Sequence, residues 1–300
     1  MHFIPHVCLT LLFAPIVTTP MIQPSDELIV QTYFHDVNEW KTHENWANIV
    51  EEGLKAISTC SQFELCNEEM RIRQQMSLAY YCLGDYTQAL EMAQKSFELA
   101  NSLDDNRGKV KSLYLTSYAL RAYAGQESDQ NKQRSLYKAA KVYAVNALVN
   151  CEGRQKEEEI LKAKALYSLG AVEAEDKFEG NAQTAKTALK AAKHIYEKYA
   201  MQDYCQRTTI RLAKLSLQEG KIDKAQSYLS KVMPTVSRNR TRLQGEFLQA
   251  QIALAMGNRE NATSIALHAQ QVAQKLHAKV EEGRIQSLIT HIDNEENDQH

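Results

Sequence analysis

Between Pro24 and Pro234 the chain runs 209 residues without a proline, and no other feature constrains its fold as much. Proline removes a backbone donor and clashes with the preceding helical turn, so its absence leaves a helix free to form anywhere in that stretch. Only 11 glycines occur in 300 residues, well below the usual share. The expected fold class is therefore all-α, and strand-rich folds are set aside. At 44% apolar and 24% charged residues, the chain has ample material for a core. Its 35 basic and 37 acidic side chains leave a formal charge of -2 with no concentrated basic block, so nothing global points to nucleic acid or an anionic membrane as partner.

The other prolines (Pro5, Pro15, Pro20) cluster with Pro24 at the start, where no Asp, Glu, Lys or Arg precedes Asp26. Val7 to Thr19 is an apolar run of 13 residues broken by Pro15, too short and interrupted for a membrane span. It fits the apolar core of a secretory signal peptide, although His2 and His6 stand where Lys or Arg is usual and Pro20 spoils a cut after Thr19. Two readings stay open. Either residues 1–24 are a signal peptide and the product is periplasmic or secreted, or translation starts at Met21 and the protein is cytoplasmic behind a spurious upstream extension.

Cysteine usage does not choose between them. After Cys8 the chain holds Cys60, Cys66, Cys82, Cys151 and Cys205, with no Cys-x-x-Cys pair. A Cys60–Cys66 bridge in an exported protein and buried thiols in a reduced one are both compatible with this pattern. The nine histidines are scattered without zinc spacing, so neither a metal nor another cofactor is expected.

Read for period, residues 71–99 make two amphipathic helices: Met76, Ala79, Tyr80 and Leu83 repeat at three and four, then Ala89, Leu90, Ala93, Phe97 and Ala100. Gly84 can end the first in a left-handed conformation, Asp85 can cap the second, and Tyr86 is placed to pack over the corner. A hairpin of this size cannot bury its apolar faces alone. The pattern returns around Gly220 and Gly257, and Gly84 to Gly220 is 136 residues, four units of 34. Further units are expected from helices over Asp26–His35 and Asn45–Ile57 (with Trp40 and Trp46 near their junction), over 111–123 and 135–148 joined by the polar Gly125–Asn131 loop, and after Leu169-Gly170 through Gly180-Asn181-Ala182. Ala278 to Ile292 is expected to be a terminal capping helix. The predicted domain covers 25–292, followed by an acidic, frayed tail over 293–300.

The segment Tyr80-Tyr81-Cys82-Leu83-Gly84-Asp85-Tyr86-Thr87-Gln88-Ala89-Leu90 resembles the tetratricopeptide repeat (TPR) family, with Ser77, Gly84 and Ala89 at the positions of the small crossing residue, the turn glycine and the second-helix alanine. Ala213, Gly220 and Ala225, and Ala250, Gly257 and Ala262, match in the same way. Leu99 to Gly108 resembles the longer linker of the subclass found in bacterial signalling regulators and kinesin light chains. The resemblance implies a right-handed superhelical solenoid of about six hairpins. The proline that often closes each unit is missing, except at Pro234.

No phosphate loop, nucleophile elbow, His-Glu-x-x-His pair or calcium loop is present. The acidic clusters Glu157-Glu158-Glu159, Glu68-Glu69 and Glu173 with Glu175 are assigned to solvated helix surface, and no enzymatic activity is expected. Asn239-Arg240-Thr241 and Asn261-Ala262-Thr263 match the glycosylation acceptor, a triplet common by chance.

Stacked hairpins curve, and the solvent-facing residues of their first helices line a continuous concave groove. Aligning the units on their small residues places Lys111, Tyr114, Tyr118 and Arg121 there from the third, Lys164 and Tyr167 from the fourth, Arg207, Arg211 and Lys214 from the fifth, and Gln244, Phe247 and Gln251 from the sixth. Such a wall suits an extended peptide with carboxylates or an acidic helix. The competing reading leaves these tyrosines packed between helices and the lysines merely solvated. The expected function is a noncatalytic scaffold or adaptor that binds a protein segment in this groove. From the resemblance, a periplasmic sensory module acting on a separate output partner is the alternative.

Overall fold

The computed structural model describes residues 24–153, 155–276 and 278–297; the leader and Met21 lie outside the described residues. Among the described residues, thirteen α-helices form six antiparallel hairpins and one closing helix: α1 (Pro24–Thr42) with α2 (Trp46–Gln62), α3 (Cys66–Leu83) with α4 (Tyr86–Ser102), α5 (Asn106–Ala124) with α6 (Gln130–Val149), α7 (Lys156–Glu175) with α8 (Ala182–Lys198), α9 (Gln202–Gln218) with α10 (Ile222–Val232), α11 (Asn239–Ala255) with α12 (Arg259–Lys275), and α13 (Lys279–Asn297). No strand occurs among the described residues. Successive helices pack on one another, while α3, α5, α7, α9 and α11 also meet across hairpins. The result is a TPR-like right-handed solenoid.

Local chemistry accounts for the hairpins. Five of the six second helices begin on an Asx cap: Asn45, Asp85, Asp129, Asn181 and Asn258 accept from the backbone N–H three residues on, at 2.8–3.4 Å. Gly84, Gly220 and Gly257 adopt φ of 86°, 73° and 77° at the turns, a region L side chains avoid. Ala89, Ala225 and Ala262 are fully buried, and the Ser77 hydroxyl donates to Ala89 O at 2.8 Å, pinning the crossing of α3 and α4. Ser117 does the same to Ala140 O between α5 and α6.

Several expectations require correction. The first helix extends through Trp40 to Thr42, well past His35. No long linker follows Leu99: α4 runs on to Ser102 and only three residues separate it from α5. Gly170 lies inside α7, where a Cβ would stand 2.7 Å from Leu189 Cγ; it permits close approach of α7 and α8 and the turn begins only at Asp176. Helix α13 continues past Ile292 to Asn297. The five described cysteines are unpaired, and Cys60 is buried, which pushes its thiol up to about 12.

Pro234 sits in a short 3-10 turn that ends α10 after 11 residues. The extended backbone from Val236 to Arg238 then turns the chain inward. Arg238 Nη1 donates to Lys41 O at 2.8 Å, and the Arg240 N–H donates to the Glu44 carboxylate at 3.3 Å, joining the sixth hairpin to the first. Helix α13 covers α12 and α11 and also reaches the second hairpin, with Val280 against the Gly84 turn.

Candidate functional site

Because the two ends meet, the concave face is enclosed. Two adjoining cavities with shared walls lie along it. The wider, of about 330 Å³, faces the first hairpin; the narrower, of about 170 Å³, faces α13. Tyr81, Arg121, Arg211, Arg240 and Gln244 belong to the walls of both.

Glu175 organises these shared walls. Its carboxylate accepts from Arg121 Nη1 at 2.5 Å and Arg211 Nη1 at 2.7 Å, with Lys214 Nζ at 3.5 Å. Arg121 Nη2 donates onward to the Tyr81 hydroxyl at 2.9 Å, and Arg211 Nε to the Tyr167 hydroxyl at 2.7 Å. A chain of hydrogen bonds thus runs Tyr81–Arg121–Glu175–Arg211–Tyr167 across the interior. Burial opposes the Glu175 charge, but Arg121, Lys214 and Arg211 outweigh it and hold the carboxyl well below the usual range. Glu173 is buried too, paired with Lys141 at 2.6 Å and accepting from the Asn181 N–H at 2.8 Å. The assignment of Glu173 and Glu175 to solvated surface is therefore overturned.

The wider cavity is built differently. Lys164 Nζ stands 5.4 Å from the Tyr204 ring centroid and 5.7 Å from that of Tyr114. The Arg207 guanidinium lies 4.6 Å from the same Tyr204 ring, and its buried Nε has no hydrogen-bond partner. Lys41 reaches the amide oxygen of Gln75 at 3.3 Å. Neither Lys41, Lys164 nor Arg207 has a carboxylate partner among the described residues. The crowding of positive charge shows in the neighbours: Lys164 foremost, against the effect of burial, then Arg207, holds the Tyr204 phenol down to about 8. Burial, reinforced by Lys164, Lys41 and Arg71, brings Lys111 down to about 7.

Of the residues expected in the groove, Tyr114, Tyr118, Arg121, Lys164, Tyr167, Arg207, Arg211, Lys214, Gln244, Phe247 and Gln251 all line one cavity or both. Lys111 lines neither; it is half-buried, one turn before Tyr114. None is fully exposed, and Arg121 is only 4% exposed. Tyr114, Tyr118 and Tyr167 pack edge to tilted on one another at 5.3 and 6.0 Å while presenting ring surface to the wider cavity, so the packed and groove-lining readings hold together for them. The residues missed are Lys41, Glu44, Tyr81, Glu175, Tyr204, Arg238, Arg240, Glu281 and Arg284. Taken together, the walls carry nine cationic side chains against three carboxylates, Glu44, Glu175 and Glu281, within a chain of charge -2. Among the described residues no cluster of metal-ligating side chains occurs, and no helix is long and apolar enough to cross a membrane.

No family model and no curated protein sequence matches the chain. Solved structures do. A Rap protein complexed with competence and sporulation factor superposes with a TM-score of 0.60 at 14% identity, covering 91% of this chain and 77% of the Rap chain. The apo form of RapI superposes with a TM-score of 0.56 at 12% identity, covering 90% of this chain and 99% of RapI. At such identities the likeness establishes the helical-repeat fold.

Proposed function

We propose that this chain is a noncatalytic TPR-type interaction module that binds an acidic segment of a partner protein, or a free acidic peptide, in its enclosed concave interior. The observation that carries this reading is the charge imbalance of the cavity walls. Cations gathered in a half-enclosed space repel one another and lose hydration, and an arrangement with too few internal carboxylates is relieved when a ligand supplies them. The tyrosines beside them offer flat surface for apolar and aromatic side chains of the same ligand. The Rap protein that shares this fold was captured with a bound factor, which fits an interior adapted to ligands.

Fluorescence anisotropy with labelled octapeptides of equal length and graded charge tests the reading. Acidic peptides with aromatic residues should bind, with an affinity that falls as salt rises, and basic ones should not. Equal binding of acidic and basic peptides, or of neither, overturns it.

A further inference from the structure

The two cavities differ in one respect that separates their roles. In the narrower one Arg121, Arg211 and Lys214 share the Glu175 carboxylate, and Arg240 Nη1 is paired with Glu281 at 3.3 Å. In the wider one Lys41, Lys164 and Arg207 line the same cavity with no carboxylate partner among the described residues, and Arg207 keeps an unsatisfied buried N–H. The nearby acids are already engaged: Asp203 by Arg238, and Glu44 by the Arg240 N–H. A buried guanidinium donor without an acceptor is costly to leave unmade, and guanidinium and ammonium groups together match the geometry of an oxyanion.

We propose that Lys41, Lys164 and Arg207, arranged around the Tyr204 ring, form a discrete oxyanion-binding subsite that takes one carboxylate or phosphate group of the ligand. This rests on the reading of the interior as a ligand site but assigns the recognition to one end of it. The Tyr204 ring fixes the spacing of Lys164 and Arg207, since both cations lie on it. The Glu175 node is thereby structural, and the anion of the ligand does not compete with it. The shared chemistry is that of a planar or tetrahedral oxyanion, with free phosphate and a peptide carboxylate as its two sources.

The test is isothermal titration at constant ionic strength with inorganic phosphate, with the tripeptide Ala-Phe-Ala as free acid, and with the same tripeptide as its C-terminal amide. The expected result is saturable binding of phosphate, of the free acid, or of both, with the amide bound at least about tenfold more weakly than the acid where the acid binds. Arg207→Gln and Lys164→Met should each weaken that binding by on the order of tenfold or more, with an unchanged helical circular dichroism spectrum. Lys224→Gln, at an exposed position that lines neither cavity, should leave it intact. Binding of phosphate alone identifies a free anion as the source, and binding of the acid alone identifies a peptide carboxylate. Absence of saturable binding for both, equal binding of acid and amide without phosphate binding, or wild-type binding by a folded Arg207→Gln protein overturns the subsite. If the octapeptides still distinguish charge while Arg207→Gln has no effect, the subsite fails and the broader reading stands. If phosphate binds through Arg207 but no peptide does, the subsite stands and the peptide reading fails.

Discussion

The guanidinium of Arg238 donates to the backbone carbonyl of Lys41 at 2.8 Å, across 197 positions of the chain. This bond, with that from Arg240 N–H to Glu44, turns an open solenoid into a closed one. An ordinary repeat contacts only its neighbours; here the sixth hairpin also holds the first. Removing the Arg238 side chain should loosen the ring while leaving each hairpin intact. Arg238→Ala is expected to cost about 1–2 kcal/mol in urea unfolding and to enlarge the radius of gyration in solution scattering. An unchanged radius would show that the closure does not depend on this residue.

Glu175 and Arg207 should respond in opposite ways to loss of charge. Glu175→Gln leaves Arg121 buried without its counter-ion, and breaking a buried pair from one side typically costs about 3–5 kcal/mol. Arg211→Glu, which sets a second carboxylate against Glu175, should be similarly damaging. Arg207→Gln removes a cation with no carboxylate partner, so its unfolding midpoint should stay level or rise. Thermal scans of the three variants decide the matter. A double reversal of Arg207 and Arg211 would mix these effects, because Arg211 is paired with Glu175 and Arg207 has no carboxylate partner among the described residues.

What was legible in the sequence was local. The turn glycines Gly84, Gly220 and Gly257, the Asp85 cap and the buried Ala89 each follow from interactions within a few residues, and the hairpin count followed from them. Glu175 was misread because its partners Arg121 and Arg211 lie 54 and 36 positions away. A usable signal was nevertheless present. The stripe through Lys164 and Tyr167 continues at helical spacing to Ala171 and Glu175, and the stripe through Arg207, Arg211 and Lys214 begins at Tyr204. Extending each stripe over its whole helix would have found both residues. No such signal existed for Lys41, Arg238 or Arg240, whose roles depend on closure of the whole superhelix.

Stability should climb with pH through the neutral and mildly alkaline range. Lys111 has a folded value of about 7 against an ordinary 10.5, so between those limits the unfolded chain binds more protons than the folded one. Tyr204, at about 8 against 10.0, acts in the same direction over its own interval. Where the unfolded state holds more protons, unfolding free energy increases with pH. The charged groups acting on these two are Lys41, Arg71, Lys164, Arg207 and Arg238, with Asp105 opposing them at Lys111. Urea titrations across this interval should show the rise, and Lys111→Met should flatten it. Anion binding has the opposite dependence, since proton loss from Tyr204 adds a negative charge beside Arg207: affinity for phosphate or an acidic peptide should fall as pH passes about 8.

The same substitution, glycine to alanine, should have opposite signs at two helical positions. At Gly170 an added Cβ would lie 2.7 Å from Leu189 Cγ and 3.0 Å from the backbone oxygen of Ala185. The leucine can shift, but the carbonyl belongs to α8 and moves only with that helix. Gly170→Ala should therefore push α7 and α8 apart and cost about 1–3 kcal/mol, the usual range for overpacking. Gly283, in α13, meets nothing within 4 Å and has no positive φ. There alanine restricts the unfolded chain and suits the helix, so Gly283→Ala should gain about 0.5–1 kcal/mol. Because α13 forms one wall of the narrower cavity, that gain should also leave Arg284 and Glu281 in place. Paired urea melts measure both values. A neutral Gly170→Ala would mean that α7 and α8 have slack at their crossing, and the network held by Glu175 at the end of α7 would then have to be fixed by its ion pairs alone.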